Sequence, residues 1–125
     1  MYEIKSGIKG LFIETVEFEK TAKHYGSGSL EVFATPAMIA GMEKTCMDSV
    51  QPFLEEGDTT VGTYIQAEHL KASPLKSTIK YESEITEISG REIIFSVNAF
   101  DEKGIIGKAI HKRYIVNINR FLQKL

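Results

Sequence analysis

The sequence predicts an α+β fold, with one long helix lying against an antiparallel sheet, from three observations. Residues 32–56, VFATPAMIAGMEKTCMDSVQPFLEE, repeat at helical spacing. After Gly57 the pattern changes to strict alternation, the signature of strands. Two short turn signals, Ser89-Gly90 and Asp101-Glu102-Lys103-Gly104, join the later strands, and links that short demand antiparallel neighbours. An apolar helix and a one-sided sheet each expose a face that only the other covers, so the helix belongs in the sheet's concavity.

Taken in order, residues 11–18, LFIETVEF, are apolar and β-branched and form a first strand. Residues 20–29, KTAKHYGSGS, are polar, end in two glycines, and read as a surface loop. In the helix, Lys44, Asp48, Gln51 and Glu55 mark the solvent side, while Met38, Ile39, Met42, Cys46, Met47, Val50, Phe53 and Leu54 form the apolar arc. Thr35 suits the N-cap, Pro36 the first helical position, and Gly57 the stop. Glu43 is the misfit, because at about 100° per residue it falls on the edge of the apolar arc.

Residues 60–70, TVGTYIQAEHL, place Val61, Thr63, Ile65, Ala67 and His69 on one face of a strand, with Gly62, Tyr64, Gln66 and Glu68 on the other. Ser73-Pro74 marks a turn. Residues 77–88 alternate Ile79, Tyr81, Ser83 and Ile85 against Lys80, Glu82 and Glu84. Strands at 92–100 and 105–118 follow, and Asn119 is placed to cap a short terminal helix, RFLQKL. The outer strands leave open edges, and pairing across a two-fold axis in a homodimer is the expected remedy.

A chain of 125 residues, 42% hydrophobic and 26% charged, reads as one domain over 1–125 with a core of its own. The net charge of −2 supplies no basic surplus for phosphate backbones, which argues against nucleic-acid binding. Cys46 is the single cysteine, so internal disulfides and paired-cysteine zinc sites are excluded, and its place on the apolar arc makes it a core thiol. No segment has the apolar length of a signal peptide or a membrane span, so no membrane partner is expected and the cytoplasm is the default compartment.

Three polar side chains stand where the pattern predicts burial or a cleft: Thr35, Glu43 and His69. Thr35 and Glu43 lie eight residues apart, roughly 12 Å along a helix, so both can line one groove without touching. A carboxylate, an imidazole and a hydroxyl supply a base or nucleophile, a proton shuttle and an orienting hydrogen bond. Gly62 lets a ligand carbonyl approach main-chain N–H groups, as an oxyanion site needs. Each residue also has a plain structural role open to it. Thr35 caps a helix, Glu43 reaches past the helix edge to water, His69 bonds a carbonyl in the core, and Gly62 marks a bulge. His24 and His111 lack metal-ligand spacing with His69 or each other, and the triplet His111-Lys112-Arg113 reads as a solvated strand edge or, less simply, a phosphate site.

At these residues the chain resembles the hot-dog-fold thioesterases, and within them the fluoroacetyl-CoA thioesterase-like subgroup. The specific part is EVFATPAMIAGMEKTC followed by TTVGTYIQAEHLKASPLKSTI, and SGREIIFSVNAFDEKGIIGKAIHKRYIV fits the same rhythm. The resemblance implies a hot-dog fold, five or six antiparallel strands wrapped around one central helix, in a dimer with active sites at the subunit interface. It implies a catalytic threonine, glutamate and histidine at Thr35, Glu43 and His69 and an active-site glycine at Gly62. It also implies hydrolysis of a small acyl-CoA to free acid and CoA, with no metal and no cofactor beyond the coenzyme A of the substrate. Glu43 would attack the thioester carbonyl or activate a water, His69 would protonate the leaving thiolate, Thr35 would orient the carboxylate or the water, and Gly62 would serve the oxyanion. Lys71, Lys76, Lys112 and Arg113 are the basic candidates for the CoA phosphates. One departure stands out: fluoroacetyl-specific members carry an aromatic gate before the central helix, where this chain has Gly26-Ser27-Gly28-Ser29. Competing readings are a non-catalytic acyl-CoA or small-acid binding protein on the same scaffold, a hydratase or dehydratase whose helix motif is not found here, and a purely structural dimer.

Overall fold

A computed structural model describes residues 3–125. Its order is β1 (Lys9–Thr15), a 3-10 turn (Phe18–Lys20), α1 (Ala22–Tyr25), α2 (Thr35–Val50), a 3-10 turn (Gln51–Phe53), β2 (Asp58–His69), β3 (Thr78–Ser89), β4 (Glu92–Asp101), β5 (Gly104–Asn117) and α3 (Ile118–Gln123). The five strands form one antiparallel sheet in the order β1-β3-β4-β5-β2, and α2 packs across its inner face. This is the hot-dog arrangement, with five strands.

The helix is shorter than its periodicity suggests, for identifiable reasons. Before it, main-chain groups are committed elsewhere: Ala22 N–H donates to Val32 O at 2.8 Å, Phe33 N–H to Ser73 O at 2.9 Å and Ala34 N–H to Lys20 O at 2.9 Å. Residues 32–34 are therefore held extended, and α2 starts at Thr35 with Ala34 in the cap position. After it, Gln51 still donates to Met47 O, but Pro52 has no N–H to continue the helical ladder, so the chain tightens into the 3-10 turn. The arc is only partly as expected, since Ile39 and Met47 are half-buried and Phe53, beyond the helix, is exposed. Met38, Met42, Cys46 and Val50 are fully buried, while Lys44 and Asp48 pair on the solvent side at 2.9 Å.

Both ends of β1 are set by its partner, since the ladder with β3 closes at Thr15↔Thr78; residues 16–18 lie outside the strand. The expected loop at 20–29 contains α1, capped by the Thr21 hydroxyl, which accepts from His24 N–H at 3.2 Å, and stopped by Gly26 at φ 75°. Asn117, not Asn119, caps α3 by accepting from Arg120 N–H at 3.1 Å. The turn Ser89-Gly90 does make a hairpin, with Gly90 at φ 62°. The link from β2 to β3 does not. It carries the chain from one sheet edge to the interior, and β2 pairs with β5 instead.

Val16, Phe33, Ile79, Ile85, Ile93, Phe95 and Ile106 complete the core under the helix. Each such side chain contributes about 1.5–3 kcal/mol relative to exposure. Tyr81 sets the closest approach of helix to sheet. Its ring lies where a Cβ on Gly41 would stand, and its hydroxyl donates to Glu14, which also accepts from Lys20 Nζ at 2.8 Å. Gly41→Ala is therefore expected to lower stability by about 1–3 kcal/mol, the usual cost of overpacking, read as a lower midpoint in thermal or urea unfolding.

Candidate active site

Two clusters of polar side chains lie on the face of α2 that meets β2 and β5. At the helix start, the Thr35 hydroxyl does not cap its own helix; Oγ1 lies 2.8 Å from Nδ1 of His69. His69 is the last residue of β2, and the strand end is tied down where Leu70 N–H donates to Ile106 O at 2.7 Å. Phe33 meets the imidazole edge-on at 6.2 Å. Ala22, Val32, Phe33 and Leu70 surround the pair in a surface cleft that also takes in Ser27 of the short loop before the helix. His69 Nε2 is buried with no partner at hydrogen-bonding geometry among the described residues. Burial pulls this imidazole below its ordinary value of 6.5, with the Lys71 main chain opposing the shift.

Two turns further along α2, Glu43 enters a different neighbourhood. Its Oε2 lies 3.8 Å from His111 Nε2 and 3.9 Å from Arg113 Nη1, and its side chain is 41% exposed, so the carboxylate is reached by solvent. A Cβ on Gly62 would stand 2.6 Å from the same Oε2. The missing side chain at Gly62 thus makes the space that the Glu43 carboxylate fills.

A β-bulge explains how Gly62 and His69, seven residues apart and of opposite parity, come to share the inner face. Gly62 pairs with Arg113 and Tyr64 with Lys112, leaving Thr63 as the extra residue. Beyond it Ile65, Ala67 and His69 face inward; before it Thr60 and Gly62 do. The sequence-based assignment of Val61 and Thr63 to the inner face is corrected accordingly.

His111 and Arg113 are the residues that sequence reasoning misread. They belong to no solvated edge, because β5 lies inside the sheet between β4 and β2. His111 is fully buried and Arg113 is 6% exposed. The signal was present in alternation: both share parity with Ala109 and Ile115 on the core side. Arg113 Nε donates to Thr60 Oγ1 at 2.7 Å and Nη2 to Thr60 O at 2.9 Å, while Nη1 lies 3.1 Å from His111 Nε2. His111 Nδ1 lies 2.8 Å from Tyr64 O. A carbonyl only accepts, so Nδ1 carries the proton, and Nε2 accepts from the guanidinium. Burial also pulls His111 below 6.5, against the Tyr64 carbonyl and Glu43 and with help from Arg113. Burial pushes the Cys46 thiol up to about 12, in keeping with a core thiol.

The structure therefore joins Thr35 to His69 and Glu43 to Gly62. Among the described residues, no hydrogen bond or ion pair joins Glu43 to Thr35 or His69. The single-chain triangle is corrected to two clusters about 12 Å apart along the helix. Of the basic candidates, Lys71 pairs with Asp101 at 3.3 Å, Lys76 with Glu17 at 2.7 Å, Lys112 lies 5.0 Å from the Tyr64 ring centre, and Arg113 faces the core. Among the described residues no three His, Cys, Asp or Glu side chains group to hold a metal ion, and no helix is long and apolar enough to cross a membrane.

A helix wrapped by five antiparallel strands, with a hydroxyl–imidazole pair and a carboxylate on its inner face, defines a protein of the hot-dog thioesterase class. Comparison with known proteins narrows the class: residues 16–119 match the family described as FlK, fluoroacetyl-CoA-specific thioesterase, and the chain belongs to that family. A fluoroacetyl-CoA thioesterase from Streptantibioticus cattleyicolor is 34% identical over 95 residues, 76% of this chain and 68% of that protein. The crystal structure of a mutant fluoroacetyl-CoA-specific thioesterase in complex with fluoroacetate and CoA superposes with a TM-score of 0.89 at 29% identity, covering 94% of this chain and 99% of the other. A thioesterase superfamily member from Thermus thermophilus gives a TM-score of 0.90 at 26% identity, covering 98% and 91%.

The two depressed histidines fix the sign of a pH effect. Below about 6.5 the unfolded chain binds protons at both imidazoles that the folded chain resists binding, so stability rises with pH through this range and falls as pH drops below it. The unfolding midpoint is expected to drop between pH 7 and pH 5, and the slope to lessen when His111 is replaced by Gln. A midpoint flat over that range would contradict the burial of both rings.

Proposed function

We propose that this chain hydrolyses a small acyl-CoA thioester to free acid and coenzyme A, as a cytoplasmic homodimer acting through Thr35, Glu43 and His69. The observation that carries the reading is the 2.8 Å contact of Thr35 with His69 in a cleft, on the same helix face as a solvent-reached carboxylate backed by arginine. Membership of a thioesterase family supports the reaction class. The single buried thiol suits a reducing compartment.

Glu43 takes a proton from the attacking water, or attacks the carbonyl itself to give an anhydride that water then opens. Either way a C–O bond forms, the C–S bond breaks, and the thiolate of coenzyme A departs. The proton that the attacking water loses, to Glu43 or to the imidazole itself, is relayed by His69 to that sulfur, and Thr35 orients the imidazole through Nδ1 rather than the carboxylate. Main-chain N–H groups around Gly62 stabilise the oxyanion. A dimer supplies what the separation of the two clusters requires. β2 is a sheet edge, and antiparallel pairing with a second copy about an axis at Gln66 would set Tyr64 opposite Glu68 and, past the extra residue Thr63, Gly62 of one chain opposite His69 of the other. Glu43 of one copy would then meet the Thr35–His69 pair of the next.

The test is thiol release from a panel of short, aromatic and long acyl-CoA substrates. Glu43→Gln and His69→Ala are each expected to lower kcat on the order of 10²–10⁴-fold without loss of fold. Mixing the two inactive variants and allowing subunits to exchange should restore hydrolysis, because one hybrid site in each mixed dimer is intact. Unchanged rates in the single variants would remove the triad. Ligand-induced stabilisation without thiol release would mark a binding protein. Residues 26–29 offer only glycine and serine beside the cleft, so fluoroacetyl-CoA and acetyl-CoA are expected to be hydrolysed with kcat/KM values within about tenfold of each other.

A further inference from the structure

We infer that His111 is a positioning residue for Glu43, acting through Arg113: its Nε2 lone pair holds the guanidinium so that Nη1 is turned toward the carboxylate. The inference rests on the reading of Glu43 as base or nucleophile and extends it to a residue that touches no substrate.

Burying an imidazole and a guanidinium side by side is costly unless each polar atom finds a partner. Here the partners form one directional chain. Tyr64 O accepts from His111 Nδ1 at 2.8 Å, and His111 Nε2 accepts from Arg113 Nη1 at 3.1 Å. Thr60 takes the other side of the guanidinium through its hydroxyl and its carbonyl, at 2.7 and 2.9 Å. Arg113 is thus gripped at Nε, Nη1 and Nη2, and its flexible stem has no freedom left to search for Glu43. A planar donor fork fixed in this way offers the carboxylate a stationary positive charge. Solvent reaches the Glu43 side chain, which without that charge would sample other rotamers away from the space over Gly62.

The chain of donors works in one protonation state only. A proton on Nε2 would set two donors against each other at 3.1 Å and present an imidazolium N–H to Glu43, 3.8 Å away, in competition with Arg113. The charged and titratable groups facing the ring are Glu43 from the helix and Arg113 from its own strand; Cys46 faces Arg113. Acid would therefore exchange a fixed guanidinium partner for a mobile arrangement, and hydrolysis would fall with it.

The bulge supplies the first link. Thr63 is the extra residue, with its hydroxyl on Lys112 O at 3.2 Å, and immediately after it the Tyr64 carbonyl is the group that His111 Nδ1 reaches. The irregularity that opens space for Glu43 at Gly62 is continuous with the one that selects the His111 tautomer.

The experiment compares the wild-type chain with His111→Gln, which keeps an acceptor for Arg113, and His111→Ala, which does not. Nitrogen-15 NMR of the wild type should show Nδ1 protonated and Nε2 bare, with the Arg113 Nη protons resolved by slow rotation. The Arg113 signals should average in His111→Ala and remain resolved in His111→Gln. In the acyl-CoA assay, His111→Ala should lose on the order of 10–100-fold in kcat, the cost of a misplaced catalytic group, with KM within about twofold. His111→Gln should recover most of that loss and lack the acid limb contributed by His111. Equal impairment of both variants, an unchanged kcat in a folded His111→Ala, or a proton on Nε2 at neutral pH would each overturn the inference. Should His111→Ala fail to fold, the wild-type tautomer and the His111→Gln kinetics still decide. A wild-type chain that releases no thiol while the NMR signatures hold sinks the thioesterase reading and leaves the relay intact; turnover without those signatures does the reverse.

Discussion

The extra residue in β2 is the constraint on which the arrangement depends. Side chains along a strand alternate between faces, so Gly62 and His69 in an unbroken strand would point to opposite sides of the sheet. Inserting Thr63 between the register pairs Gly62↔Arg113 and Tyr64↔Lys112 reverses the phase once. Both residues then face α2, and the helix meets a glycine-lined recess beside Glu43 and an imidazole beside Thr35. The same kink brings the Tyr64 carbonyl to His111.

The helix supplies the other half of the geometry. Its buried arc is held by Met38, Met42, Cys46 and Val50 and by the contact of Gly41 with Tyr81, so its rotation and height over the sheet are fixed by apolar packing rather than by polar side chains. Thr35 and Glu43 are carried into place by that packing. This frees the polar groups for other work: Thr35 makes no cap to its own helix, and Glu43 has no hydrogen bond among the described residues that would occupy its oxygens. The buried cationic side is the more fully satisfied one. His111 and Arg113 spend their donors and acceptors on each other, on Thr60 and on Tyr64, which is the pattern expected when charge is taken out of water.

Two features point outward from the single chain. The clusters at Thr35–His69 and at Glu43 lie about two helical turns apart, too far for direct proton transfer. Meanwhile β2, which contributes to both, is an edge strand of the sheet among the described residues. The antiparallel partner proposed for that edge would answer both facts at once, since it would cover main-chain groups at the sheet edge and bring unlike ends of two copies together. The symmetry of such a pairing is isologous, and it would build two equivalent sites.

Much of the fold was legible along the chain, because helical and strand periodicities are local properties of apolar spacing. The central helix, the alternation of Ile79, Tyr81, Ser83 and Ile85, the hairpin at Ser89-Gly90 and the misfit of Glu43 all follow from it. Thr35, Glu43, His69 and Gly62 could be singled out as polar or small residues in apolar settings. What contacts they make could not. Strand order is a non-local choice, so β2 pairing with β5 rather than β3 was invisible, and with it the burial of His111 and Arg113. A bulge leaves no mark in alternation except a single phase slip, which Thr63 hides by being as acceptable outside as in. The chain by itself determined which residues are apolar, periodic or out of place; only tertiary packing decided that the Thr35 hydroxyl turns to His69 and that Glu43 turns to Arg113, because hydrogen-bond partners are chosen by the elements brought face to face and not by neighbours in sequence.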